Sequence, residues 1–178
     1  MRWPRRRKTN GEPDARYRVW ILRAVVERTL DVLRASGTVE EAHEGIVYWA
    51  GRRLGPEAIV TTCIVPMATT TFGSFRTSSE TNAKVVMYLA TAGLELLGQV
   101  HSHPGKSCDH SEGDDELALM PYEGFVSIVV PHYARCGMEP LSRCGIHVFE
   151  TRGFRRLTPQ EIRRSVRIVD GFTDLRPA

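Results

Sequence analysis

The stretch LELLGQVHSHPGKSCDHSEGDD, residues 94–115, restricts the possible folds more than any other part of the chain. It opens as an apolar, β-type run and delivers two histidines directly into a Pro-Gly turn. Residues two apart on a strand point to the same face, so His101 and His103 present both imidazoles to one point in space. Asp114 lies eleven residues beyond His103, among acidic residues of the kind that gather in the first turn of a helix. A chain reversal between them brings all three side chains together. Two imidazoles and a carboxylate make a three-ligand zinc site with a fourth position open, the arrangement of a catalytic rather than a structural site. Zinc held in this way brings the pKa of a water to about 7 and polarises a carbonyl, which is hydrolytic chemistry.

The remaining segments decide what can carry such a site. Residues 19–37, VWILRAVVERTLDVLRASG, place Leu22, Val25, Val26, Leu30 and Leu33 on one face with Gly37 as a stop, which predicts an amphipathic helix. HEGIVYWAG (43–51) and AIVTTCIVP (58–66) predict a hairpin across a Gly-Pro turn. MATTTFGSFRTS (67–78) shows neither period and reads as a long connection able to line a groove. SETNAKVVMYLATAG (79–93) predicts a second helix, opened by a Ser cap and closed by Gly93. SEGDDELALM predicts a short third helix, and FVSIVVP (125–131) and GIHVFE (145–150) predict further strands. TPQEIRRSVRIVDG (158–171) predicts a last helix, with Thr158 as cap, Pro159 at the first helical position and Gly171 as stop. The sum is a mixed α/β domain, a sheet of about five or six strands flanked by helices.

A chain of 178 residues holds one well-buried core, and 42% hydrophobic with 25% charged residues is the composition of a soluble globular protein. The formal charge of +3 belongs to one end: Arg2, Arg5, Arg6, Arg7 and Lys8 supply five positives, leaving the rest at −2. Residues 1–16 therefore read as a basic, solvated tail ahead of a single domain over 17–178, and no nucleic-acid groove is implied. The tail is followed by no apolar signal region, and no run reaches the roughly 18–20 apolar residues of a membrane helix, so the expected location is cytoplasmic. Cys63, Cys108, Cys136 and Cys144 lack the CxxC spacing and read as thiols. A second, structural zinc on Cys136 and Cys144 with His132 or His147 is the rival reading.

HSHPGKSCDHSEGD reads His-x-His-Pro, six residues, Ser, two residues, Asp, and in every fixed position it resembles the motif of the JAMM, or MPN-plus, zinc metalloproteases. That family also carries a glutamate on an early strand followed by a small residue, and Glu44-Gly45 stands at the expected place. The resemblance extends over residues 17–150 and implies a cytidine-deaminase-like MPN/JAB fold. It implies that His101, His103 and Asp114 ligate one zinc, that Glu44 is the general base, that Ser111 donates to the oxyanion, and that Pro104 fixes the turn. Each role has a plainer rival. Ser111 and Asp114 also read as a near capping box, and Glu44 as a strand-end carboxylate beside Glu40 and Glu41. Asp109, His110 and Asp115 read as exposed bystanders and His43 as structural or exposed, the rival reading making Asp109 or His110 a partner that orients a ligand. Cys108 reads as a thiol placed to compete for the open zinc position or to act as a redox switch.

Family members with the complete motif characteristically cleave isopeptide or peptide bonds after the C-terminal tail of ubiquitin or a ubiquitin-like protein. A single domain with Lys only at positions 8, 84 and 106 resembles the stand-alone prokaryotic members. The resemblance thus implies a zinc isopeptidase that removes or matures a ubiquitin-like modifier. Its expected partners are E1-like and E2-like enzymes of a bacterial operon, in some cases serving antiphage defence. An extended tail suits such a site, with the 67–78 connection and its Phe72 and Phe75 as one wall. The alternatives are a peptidase trimming a sulfur-carrier protein and, from another class, a non-catalytic scaffold, against which the intact residue set argues. The RadC-like branch needs a helical N-terminal region that this chain has no room for.

Overall fold

A computed structural model describes residues 17–37, 41–151 and 153–171, so the basic segment 1–16 and Glu40 lie outside the described residues. The elements follow one another as β1 Arg18–Leu22, α1 Arg23–Arg34, β2 Ile46–Leu54, β3 Glu57–Ile64, β4 Ala68–Thr71, β5 Ser74–Thr77, α2 Ser79–Ala92 and β6 Glu95–Ser102. After these come α3 Glu112–Glu116, β7 Val126–Val130, β8 Gly145–Glu150, β9 Gly153–Arg156, α4 Pro159–Ser165 and β10 Val166–Val169. Two short 3₁₀ turns, His132–Ala134 and Leu141–Arg143, lie between β7 and β8. Eight strands form one mixed sheet in the order β10-β1-β3-β2-β6-β7-β8-β9, and β4 and β5 form a separate hairpin.

The sheet is wider than the sequence suggests, for a reason visible at both ends of the chain. The sequence predicts that residues 19–22 open the first helix, yet Val19 and Ile21 are buried and alternate with half-buried neighbours, a period of two. They form β1, parallel to both β3 and β10. The last helix likewise stops at Ser165, because the β-branched run Val166–Val169 leaves it to pair with β1. Local periodicity cannot distinguish these four- and five-residue strands from extensions of the adjoining helices; only the vacant edge of the sheet decides. The 67–78 connection contains the β4–β5 hairpin, turned at Phe72-Gly73. The cap of α2 is Ser78 rather than Ser79, its hydroxyl accepting from the Thr81 amide at 3.1 Å.

Side chains alternate across the sheet into two apolar clusters. Val47 and Trp49 of β2 pack with α1 and α4, whereas Ile46, Tyr48 and Ala50 pack with Val85 and Leu89 of α2 and with Phe75. A polar row interrupts the second face. Tyr48 pairs in register with Gln99, Gln99 with Ser127, Ser127 with His147, and His147 with Arg156. Gln99, Ser127 and His147 are all buried.

The loop after β6 lies close against the start of β8. A Cβ on Gly145 would stand 1.7 Å from the backbone carbonyl oxygen of Cys108, so only glycine fits. We expect Gly145→Ala to lower unfolding stability by about 3 kcal/mol in urea titration, the upper part of the range for overpacking, because backbone rather than a flexible side chain must move.

Candidate active site

His101, fully buried, is the penultimate residue of β6, and His103 directly follows Ser102, the last. Their Nε2 atoms lie 3.2 Å apart. Helix α3 turns back over them, and Asp114 sets Oδ1 3.3 Å from His101 Nε2 and Oδ2 3.4 Å from His103 Nε2. Among the described residues these three form the single group of His, Cys, Asp and Glu side chains positioned to share an ion.

The donor set fits zinc. Ligand bonds of about 2.0–2.1 Å to imidazole and carboxylate in a tetrahedron require donor-to-donor edges of about 3.3–3.4 Å, which the observed separations nearly match. Without an ion, the lone pairs that converge there need a shared proton. Burial opposes ionisation of Asp114, but hydrogen bonds from His101 and His103 outweigh it and hold the carboxyl far below the usual carboxylate range. Burial lowers His101 below the usual imidazole range. At His103 burial acts in the same direction, but the Asp114 hydrogen bond and the charge of Glu44 prevail and raise it.

Glu44 reaches this group from β2's side of the sheet. Ser102 clamps the adjoining residue from both directions: the Gly45 amide donates to Ser102 Oγ at 3.0 Å, and the Ser102 amide donates to the Gly45 carbonyl at 3.1 Å. The clamp sits between the two histidines in sequence, so it fixes Glu44 relative to both. Glu44 is 4% exposed, and burial pushes its carboxyl up to about 7, with His103 drawing it down and Asp114 reinforcing the rise. A carboxyl poised there can take and return a proton near neutrality. Ser111 is the N-cap of α3: its Oγ accepts from the Asp114 amide at 3.2 Å while its own amide donates to Asp114 Oδ2 at 2.7 Å. The capping reading is therefore correct. It leaves the hydroxyl hydrogen of the exposed Ser111 side chain free to donate outward.

The sequence profile of the prokaryotic homologs of the JAB domain matches residues 26–151. The chain belongs to this family. A probable metalloprotease of Sinorhizobium fredii, y4jG, is 32% identical to this JAB domain over 107 residues, which is 58% of the chain and 64% of that relative's length. The solution structure of protein DSY2949 from Desulfitobacterium hafniense superposes with a TM-score of 0.61 at 17% identity, covering 85% of this chain and 93% of that one, and so shares the fold. A JAB1/MPN domain protein of Archaeoglobus fulgidus, AF2198, matches more loosely, with a TM-score of 0.40 at 18% identity over 77% of this chain and 92% of that one.

Other parts of the JAB domain depart from the sequence expectations. His110 is not solvent-facing: its side chain is 7% exposed and stacks on His147 with ring centroids 4.0 Å apart. Asp109 instead pairs with Arg156. Cys136 is exposed while Cys144 is buried, and among the described residues no second metal group includes them. Cys108 is buried with Sγ directed at the Lys106 and Arg143 carbonyls, and burial raises its thiol above the usual range, the opposite of an activated thiolate. Phe75 packs inward on His101, centroids 5.2 Å apart, whereas Phe72 stays exposed at the hairpin tip. No helix among the described residues is long and apolar enough to cross a membrane.

Sequence reasoning missed Tyr133. His132, Tyr133 and Ala134 are consecutive left-handed residues, with φ of 55°, 51° and 60°. Each such non-glycine residue costs about 1–2 kcal/mol, and no Gly or Asn marks the place. The turn is held by bonds to the site: the Tyr133 amide donates to the His103 carbonyl and Tyr133 Oη to the Phe72 carbonyl, both at 2.9 Å. With the Glu44 amide donating to the Thr71 carbonyl at 2.9 Å, the hairpin is tied to both halves of the site.

Proposed function

We propose that this JAB domain is a zinc-dependent peptidase that cuts after the extended C-terminal tail of a ubiquitin-like protein, releasing it from a conjugate or maturing it. The observation that carries the reading is the triangle of buried His101, half-buried His103 and buried Asp114, with tetrahedral edge lengths, beside a carboxyl whose pKa is raised to about 7. A zinc ion bound by these three residues supplies Lewis acidity at a carbonyl and acidifies a water. Glu44 accepts the proton of the attacking water and passes it to the departing amine, for which its raised pKa suits it. Ser111, its lone pair committed to the Asp114 amide, turns its hydrogen toward the developing oxyanion. The name of the Sinorhizobium relative, a probable metalloprotease, agrees with this chemistry.

The hairpin beside the site supports this choice of substrate. The β4–β5 hairpin carries exposed Phe72 at its tip and is bonded to Glu44 directly and to His103 through Tyr133, which puts its main chain beside the site where an extended chain could be laid. E1-like and E2-like enzymes that attach such a tail are the expected operon partners, and the cytoplasm the expected compartment.

The test is mass spectrometry of a reporter fused behind a ubiquitin-like tail and incubated with the zinc-loaded protein. We expect one cut, immediately after the tail, abolished by chelation. An uncut fusion alongside a trimmed sulfur-carrier precursor would reassign the substrate, and equal cutting by Glu44→Gln would overturn the mechanism. Ser111→Ala should lose about 10²–10³ in kcat with KM nearly unchanged. The same change should lower stability by about 1 kcal/mol as a lost cap, so kinetics and urea titration measure its two roles separately.

A further inference from the structure

Helix α3, which carries Asp114, is a single turn of five residues, too short to hold its position unaided. Besides Asp114 itself, which lies 3.3 Å from His101 on β6, a tie to the sheet comes from His110, the residue immediately before the cap. His110 Nδ1 lies 2.6 Å from Asp115 Oδ1, inside the helix, and Nε2 lies 2.9 Å from Ser127 Oγ, on β7. Ser127 Oγ also receives the amide of buried Gln99 at 3.2 Å. For a neutral ring the bond directions fit one pattern. Ser127 accepts from Gln99 and gives its hydrogen to Nε2, so Nδ1 carries the ring hydrogen and donates it to the Asp115 carboxylate. The ring faces are filled as well: His147 stacks at 4.0 Å, Phe154 meets the ring edge-on at 4.8 Å, and His101 lies at 5.8 Å.

We infer that His110 is a positioning residue for the metal centre: it braces α3 against Ser127 of the sheet and thereby sets the Asp114 carboxylate opposite His101 and His103. The inference rests on the reading of those three residues as metal ligands. Asp115 adjoins Asp114 in the same turn, so a displacement of the brace moves the ligand carboxylate with it. Leucine in place of His110 fills similar space but leaves the buried Ser127 hydroxyl without its acceptor and Asp115 without its donor. Glutamine offers one donor and one acceptor, as the Nδ1–H imidazole does.

The experiment measures zinc affinity by competition with a chromophoric chelator, and the visible absorption of the cobalt-substituted protein, for wild type, His110→Leu, His110→Gln and Ser127→Ala. Loss of a bond that orients a ligand typically weakens metal binding about 10- to 100-fold. We expect that loss and an altered cobalt spectrum in His110→Leu and Ser127→Ala, with His110→Gln restoring most of both. Thermal unfolding of the metal-free forms separates this effect from a general loss of stability. Wild-type affinity and spectrum in His110→Leu would overturn the inference while leaving the metal reading intact. A wild-type protein that binds neither ion would overturn the metal reading and this inference with it.

Discussion

Glu44→Gln should lower turnover of a cleavable tail fusion by about 10²–10⁴, the range for a positioned general base, while the protein still binds zinc. The amide keeps the shape and hydrogen-bonding reach of the carboxylate but cannot accept the proton of the attacking water. A second consequence appears in the metal-free protein. Burial raises the folded-state pKa of Glu44 from 4.5 to about 7, so between those values the folded state holds a proton that the unfolded chain has released. Stability from this group is therefore full below about pH 4.5 and falls as pH rises through about 7. The shift corresponds to at most about 3 kcal/mol. In urea titrations with chelator present, wild type and Glu44→Gln should differ little at pH 4.5, and at pH 8 the variant should be the more stable. A variant equally active, or one no more stable at pH 8 than at pH 4.5 relative to wild type, would contradict the assignment.

Asp114→Ala is expected to have the largest structural effect. It removes the partner of one buried and one half-buried imidazole and one half of the α3 capping box in a single change. Breaking a buried pair from one side costs about 3–5 kcal/mol, because the remaining partner stays desolvated and unpaired. The folded-state pKa of Asp114 lies below its ordinary value, so its contribution is present above about pH 4 and disappears as pH falls. The deficit of the variant relative to wild type should accordingly shrink in acid. Added zinc is expected to raise the Tm of wild type by binding its folded state, and Asp114→Ala should abolish that rise. Differential scanning calorimetry with and without zinc, at pH 7 and pH 3.5, checks both expectations.

The site was far more legible in the sequence than the sheet that supports it. His101 and His103 are two apart on one strand, and Asp114 stands in a helix start marked by its own acidic neighbours, so local rules alone bring them near each other. Glu44 is different: it joins them through the register of β2 with β6, where Ile46 faces His101, and only the family resemblance brought it in. His110 escaped for the opposite reason. A histidine in a polar loop carries the sequence signature of an exposed residue, and its burial depends on Ser127 and His147, which lie on other strands. Strands β1 and β10 were hidden inside helical expectations because their pairing is long-range, between residues 19–22 and 166–169. The left-handed turn at Tyr133 left no trace at all, since its stabilising bonds go to His103 and Phe72 rather than to neighbours in sequence.

The proposed function requires that His101, His103 and Asp114 hold a single zinc ion. Elemental analysis of protein purified without a metal-affinity step, combined with zinc X-ray absorption, tests it most directly. We predict about one zinc per chain in a shell of two imidazole nitrogens and carboxylate oxygen at about 2.0–2.1 Å, lost in His103→Ala and Asp114→Ala. Protein that stays metal-free after equilibration with zinc, or that keeps zinc with a sulfur-containing shell when His103 is removed, would contradict it.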